Sequence, residues 1–210
     1  YTVLIFKEFR EVKIDFSLLK SRKGFIANNY AMSLSGRVTS TIDKIVIAPL
    51  LGFALLGNWA LAVQLLVILM IIPTIIFKYL LPQDASGEPN RKLRYVTILL
   101  SVGIAGAGIG LVPYVIPSFF PKFIDAVDAV QLMSIAIIPA TITLLYTSKL
   151  LGLEKSKFLL ITEVISTSIL IVGFIILGPI FGIMGLAGVF VFSVTLEATL
   201  LFCITKIKKF

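Results

Sequence analysis

The residues able to do chemistry concentrate in one apolar stretch, 24–48, where Asn29, Ser33, Arg37, Ser40, Thr41 and Lys44 recur at steps of three or four. On a helix those steps place all six side chains on a single face. A guanidinium that presents a bidentate fork, followed one helical repeat later by an ammonium, is the donor set that holds phosphate or pyrophosphate. The plainer alternative is that an acid on another helix neutralises Arg37 while Lys44 snorkels outward beside Asp43. Asp43 lies about 60° off the face opposite Arg37 at about 100° per residue, so it is not Arg37's partner within the helix.

Two further acids fall inside apolar runs. Glu197 stands near the middle of 184–205 beside Ser193 and Thr195, and Glu163 lies within 157–179 beside Thr162 and Ser166. A carboxylate on so short a stem reaches an interface poorly, so either could pair with Arg37, carry a coupling proton, or ligate Na⁺ as a hard oxygen. Glu163 is close enough in sequence to Lys155 and Lys157 for an interfacial ion pair, which leaves Glu197 the stronger coupling candidate, with Asp43 a third. Histidine is absent and Cys203 is the single cysteine. That composition removes Ser-His and Cys-His nucleophile pairs, an intrachain disulfide and a cysteine metal site. The expectation is a non-enzymatic protein with no catalytic residue, metal or cofactor.

These charges must be carried by segments built for lipid. Hydrophobic residues make up 58% of the chain, charged residues 14%, and mean hydropathy is +1.05. Crossing about 30 Å of hydrocarbon takes about 20 apolar residues in a helix, because lipid offers no partner to backbone N–H and C=O groups. Six stretches qualify, at 24–48, 55–81, 95–117, 127–148, 157–179 and 184–205. The expected fold is therefore all-α: a polytopic membrane protein with a six-transmembrane-helix bundle over 24–210. Turn chemistry separates the stretches at Gly52 and Gly57-Asn58, at the polar loop 82–90, at Pro117 and Pro121, and at 152–157 and 178–185. Pro73 and Pro139 predict kinks, with Thr74, Thr141 and Thr143 placed to repair freed carbonyls, and Gly103, Gly106 and Gly110, with Ala105 and Ala107, predict a face for close helix packing.

Alternating the crossings puts sixteen of the nineteen basic residues on one side and only Lys122 on the other, with Arg37 and Lys44 inside the first span. The positive-inside rule makes that side, and both termini, cytoplasmic in a cell membrane. It also accounts for the net charge of +8 through topogenic loops and anionic lipid contact, with no nucleic-acid partner. Residues 1–23 alternate Phe6, Phe9, Val12, Phe16 and Leu19 with charges, as a basic cytoplasmic linker or interfacial helix does; 1–6 also reads as the tail of an earlier span. With Tyr1 first and no signal pattern, the chain reads as a piece of something longer.

The order of features resembles a known family. A basic linker, a helix carrying Ser40-Thr41-Ile42-Asp43-Lys44-Ile45-Val46-Ile47, then Leu51-Gly52, Ala60-Leu61-Ala62-Val63-Gln64 and Leu81-Pro82 before a polar loop look like the C-terminal half of a polysaccharide or oligosaccharide flippase. Such flippases belong to the superfamily of multidrug and toxin extrusion (MATE) transporters. Pro113 to Phe120, Gly152-Leu153-Glu154-Lys155, and the turn Gly178-Pro179-Ile180-Phe181-Gly182-Ile183-Met184-Gly185 fit the same pattern, while Phe120-Pro121-Lys122 departs from it. The resemblance implies one of two six-helix lobes around a cavity that opens alternately to each side, completed by a missing N-terminal half or a second copy. It implies a lipid-linked, pyrophosphate-bearing glycan as cargo, with Arg37 and Lys44 lining the cavity. A multidrug or cation antiporter of the same fold would favour cavity acids and aromatics. A membrane-embedded glycan-lipid enzyme would show aspartate or histidine clusters in its cytoplasmic loops, and the longest inter-helix loop offers only Asp84 and Glu88. A structural membrane component would pack the polar stripe of the first helix dry against its neighbours.

Overall fold

The computed structural model describes residue 20 and residues 22–208, with side chains left out at 38–40, 42 and 43. The segment 1–19 and Lys209, given roles above, lie outside the described residues. All described elements are helical: α1 (Lys23–Leu51), α2 (Phe53–Leu69), α3 (Ile71–Ala85), α4 (Arg91–Phe119), a 3-10 turn (Pro121–Ala126), α5 (Val127–Ile135), α6 (Ile137–Gly152) and α7 (Ser156–Ile207). Two of them, α4 and α7, are long and apolar enough to cross a membrane. The count reaches four if α2 with α3, and the 3-10 turn and α5 with α6, each form one bent crossing.

Proline chemistry explains the bends. Pro73 has no amide to offer the Leu69 carbonyl and its ring crowds that carbonyl, so the helix bends by 49° at Met70, upstream of the proline itself. The Thr74 hydroxyl donates to the Met70 carbonyl at 2.8 Å. Pro139 acts in the same way on Ile135, giving a 43° bend at Ala136, and Thr141 donates to the Ile137 carbonyl at 2.7 Å. Thr143, expected to help, makes no hydrogen bond among the described residues.

At 52 residues α7 would run to about 78 Å at about 1.5 Å per residue, more than twice a hydrocarbon core of about 30 Å. It doubles back instead at Gly182, whose φ of 59° and ψ of −140° leave the helix through a region that favours glycine. Ser193 then donates to the carbonyl of Ser166 at 2.7 Å, which fixes the two arms side by side. The core lies towards the Gly182 end, around Ile47, Trp59, Ile116, Met133, Phe174 and Leu186.

The opposite end collects basic residues. Arg22 pairs with Glu154 at 3.0 Å and the Lys208 ammonium sits 4.3 Å over the Phe158 ring. Asp84, read from sequence as a turn residue, is buried in α3, which continues through Pro82 to Ala85. Arg94 Nη2 reaches both carboxylate oxygens of Asp84 at 2.6 and 2.5 Å, its Nη1 donates to the Leu145 carbonyl at 2.9 Å, and Ser148 donates to Asp84. The backbone at Asp84–Ala85 passes Gly152 so closely that a Cβ there would overlap it. One ion pair thus staples α3, α4 and α6.

The small-residue face of α4 is a correction. Gly103, Gly106 and Gly110 meet nothing among the described residues, and of the expected small residues Ala105 is buried; the packed face is Thr97, Ser101, Ala105, Gly108, Val112 and Ile116, with Gly108 against Ser134 and Leu69. Two stripes share the helical repeat, and spacing alone does not say which one is covered.

Asp84→Ala is expected to cost about 3–5 kcal/mol, because it leaves the Arg94 guanidinium in a mostly buried site without its counter-charge. Thermal unfolding in detergent should show the Asp84→Ala/Arg94→Ala pair costing clearly less than the two single changes summed. Additive costs would mean that the pair is not a unit.

Candidate functional site

α1 carries two chemistries on two faces. Ser33, Arg37, Thr41 and Lys44 are exposed and Asn29 is half-buried, so the described members of the polar stripe lie on the outward side of the helix. Asn29 donates to the Phe25 carbonyl at 2.9 Å, Ser33 to Asn29 at 3.0 Å and Thr41 to Arg37 at 3.0 Å. These donors are spent on the preceding turn, leaving oxygen lone pairs outward. The side chains of Ser40 and Asp43 lie outside the described residues. The stripe is not packed dry against its neighbours.

The other side of α1 faces α7 and α2 across a cavity of about 390 Å³, lined by Gly36, Trp59, Glu163, Ser166, Ser193 and Glu197 among others. Both carboxylate candidates therefore meet in one place. Glu163 comes from the first arm of α7 and takes a hydrogen bond from Ser35; Glu197 comes from the second arm. Ser166 sits between them, donating to the Glu163 carbonyl at 3.1 Å and to Glu197 Oε2 at 3.2 Å. The reversal at Gly182 is what brings residues 31 positions apart into register.

Trp59 closes the cavity towards the core. It is 2% exposed and meets Phe174 and Phe190 edge-to-face at centroid distances of 5.2 and 6.2 Å. Its indole Nε1 has no hydrogen-bond partner among the described residues. Sequence reading passed over Trp59; the available signal was a lone tryptophan, whose N–H needs an acceptor, in a run where leucine would pack as well.

Two carboxylates with neighbouring hydroxyls and aromatic walls, half removed from bulk water, could hold a cation. A proton shared between them, a hard monovalent ion on their oxygens, or an organic cation against the rings would each offset the paired negative charge. The outward stripe has the opposite sign and suits an anion. No family model, curated protein or solved structure matches the chain.

If the acidic cavity is wet, a cysteine on its wall should react with a water-soluble methanethiosulfonate. Thr167→Cys lines it, and exposed Cys203 would first be replaced by alanine. Labelling of Thr167→Cys in membranes, much faster than at fully buried Leu201→Cys, is the expected result. Equal, negligible labelling at both would mean a dry, structural carboxylate pair.

Proposed function

We propose that the chain is one six-span lobe of an alternating-access transporter of the MATE-like superfamily. In this reading it is a multi-pass cell-membrane protein with cytoplasmic termini that moves a lipid-linked, anionic oligosaccharide between leaflets. The observation that carries the reading is the outward, exposed stripe of α1. A guanidinium about 20 Å into a bilayer span cannot face acyl chains without a cost of several kcal/mol, so that face belongs to water or to a partner lobe. Reversals near Gly52, residues 86–90, Phe120, residues 153–155 and Gly182 support six passes, and the basic residues gathered at one end support the orientation. Arg37 and Lys44 bind the pyrophosphate. The Glu163–Glu197 cavity carries the coupling cation, so that cargo and coupling sites lie on opposite faces of one helix and its rotation or tilt links them.

The acid and aromatic lining of that cavity favours a second reading, an antiporter whose cargo is an organic cation. Proteoliposomes carrying the transporter separate the two. Arg37→Glu should abolish leaflet transfer of a fluorescent lipid-linked oligosaccharide, while Glu197→Gln should lower its rate at least tenfold and remove its dependence on a Na⁺ or proton gradient. Unchanged glycan transfer in Arg37→Glu, together with ethidium transport that Glu197→Gln abolishes, would move the assignment to the cation antiporter.

A further inference from the structure

At the basic end a second cavity, of about 540 Å³, opens between α4, α6 and the second arm of α7. Arg91, Arg94 and Lys149 line it, with Tyr95 and Tyr146 beside them. No carboxylate is among its lining residues, and neighbouring Asp84 is taken up by Arg94 and Ser148. Such a wall offers guanidinium, ammonium and phenolic donors to an anion and no acceptor charge to repel it.

The apolar part of the wall decides what kind of anion. Ile98, Ile142, Leu145 and Phe202 supply it beside the basic side chains, so the cavity is basic and apolar at once. Ile142 and Phe202 are also walls of a smaller cavity of about 240 Å³ that continues along α6 and α7, past Pro139, Ala198 and Thr199. The bend at Ala136, forced by Pro139, tilts this part of α6 relative to α5 and leaves the groove beside it. A free phosphate would use the basic side chains and leave the groove unused. A headgroup phosphate with an attached acyl chain uses both.

We infer that this is a binding site for an anionic phospholipid, with the phosphate held by Arg91, Lys149 and the two tyrosines and one acyl chain lying over Ile142 and Phe202. Arg94 positions the wall through its bonds to Asp84 and Leu145. The site is separate from the acidic cavity and stands whichever cargo the transporter carries. An anionic lipid here bridges α4, α6 and α7 at the end where the Asp84–Arg94 pair already joins α3, α4 and α6, so occupancy would stiffen the bundle.

The test uses the purified full chain in neutral detergent, with phosphatidylglycerol or phosphatidylcholine of matched chains added. Retention is read by native mass spectrometry and stability by thermal unfolding. Phosphatidylglycerol should be retained and should raise the unfolding temperature by several degrees more than phosphatidylcholine does. Removing both basic side chains in Arg91→Gln/Lys149→Gln should weaken its retention by roughly thirtyfold, about five- to sixfold for each charge near a lipid surface. Lys149→Arg should keep it, and Ile142→Trp, which blocks the groove without altering charge, should also reduce retention. Equal retention of the two lipids, or undiminished phosphatidylglycerol binding in the double variant, would overturn the site. Inorganic phosphate stabilising the chain as well as phosphatidylglycerol, with Ile142→Trp unaffected, would overturn the lipid assignment.

Discussion

Hydrocarbon does not solvate charge, and in the proposed six-span lobe that constraint falls most heavily on α1, which is not among the helices apolar enough to cross a membrane by composition alone. Beyond Lys23 at its start, Arg37 and Lys44 lie within its 29 residues, with Arg37 too far along to reach the basic end by extending its side chain. Everything else in the fold can be read as an arrangement around that helix. α7 covers one side of it as a hairpin, α2 seats against it through the core at Ile47 and Trp59, and Arg37 and Lys44 are exposed. The surroundings of the two faces differ in charge: the hairpin presents the carboxylates of Glu163 and Glu197 to one side of α1, and α1's own cations Arg37 and Lys44 are exposed. In the proposed transporter, movement of a helix so placed would link the states of its two sides.

The two ends of the bundle are held by different forces. Towards Gly182 the contacts are apolar and aromatic, centred on Trp59, Phe174 and Met133. At the other end a polar staple of Asp84, Arg94 and Ser148 takes over, with small apolar contacts among Leu150, Leu159 and Leu201. A buried, hydrogen-bonded ion pair is specific about geometry, because a shift leaves a buried charge unpaired. Such an end behaves as a fixed pivot, and the proline-bent helices between the ends absorb displacement.

Much of this was written in the sequence where the signal is local. Hydropathy located the helices, glycine and proline placed the reversals, and charge alternation indicated which loops share an end. What escaped depends on partners distant in sequence. Asp84 looked like a turn residue because Arg94 and Ser148, ten and 64 positions away, reveal their roles only in the packed fold. Glu163 read as an interfacial acid beside two lysines, yet the reversal at Gly182 delivers it to Glu197. Spacing proposed Gly103, Gly106 and Gly110 as a packing face, and an equally regular stripe starting at Thr97 is the covered one. Proline positions announced the kinks, but the bends sit near the crowded carbonyls, upstream of the rings.

The central claim is that position 37 meets water inside the membrane. A nitroxide introduced by Arg37→Cys, in a Cys203→Ala background and reconstituted in lipid, reports this through its collision rates with a polar nickel chelate and with oxygen. The account predicts high accessibility to nickel at position 37, with the reverse at a label placed on exposed Val172 in the first arm of α7. Oxygen-dominated relaxation at position 37, matching that at position 172, would contradict it.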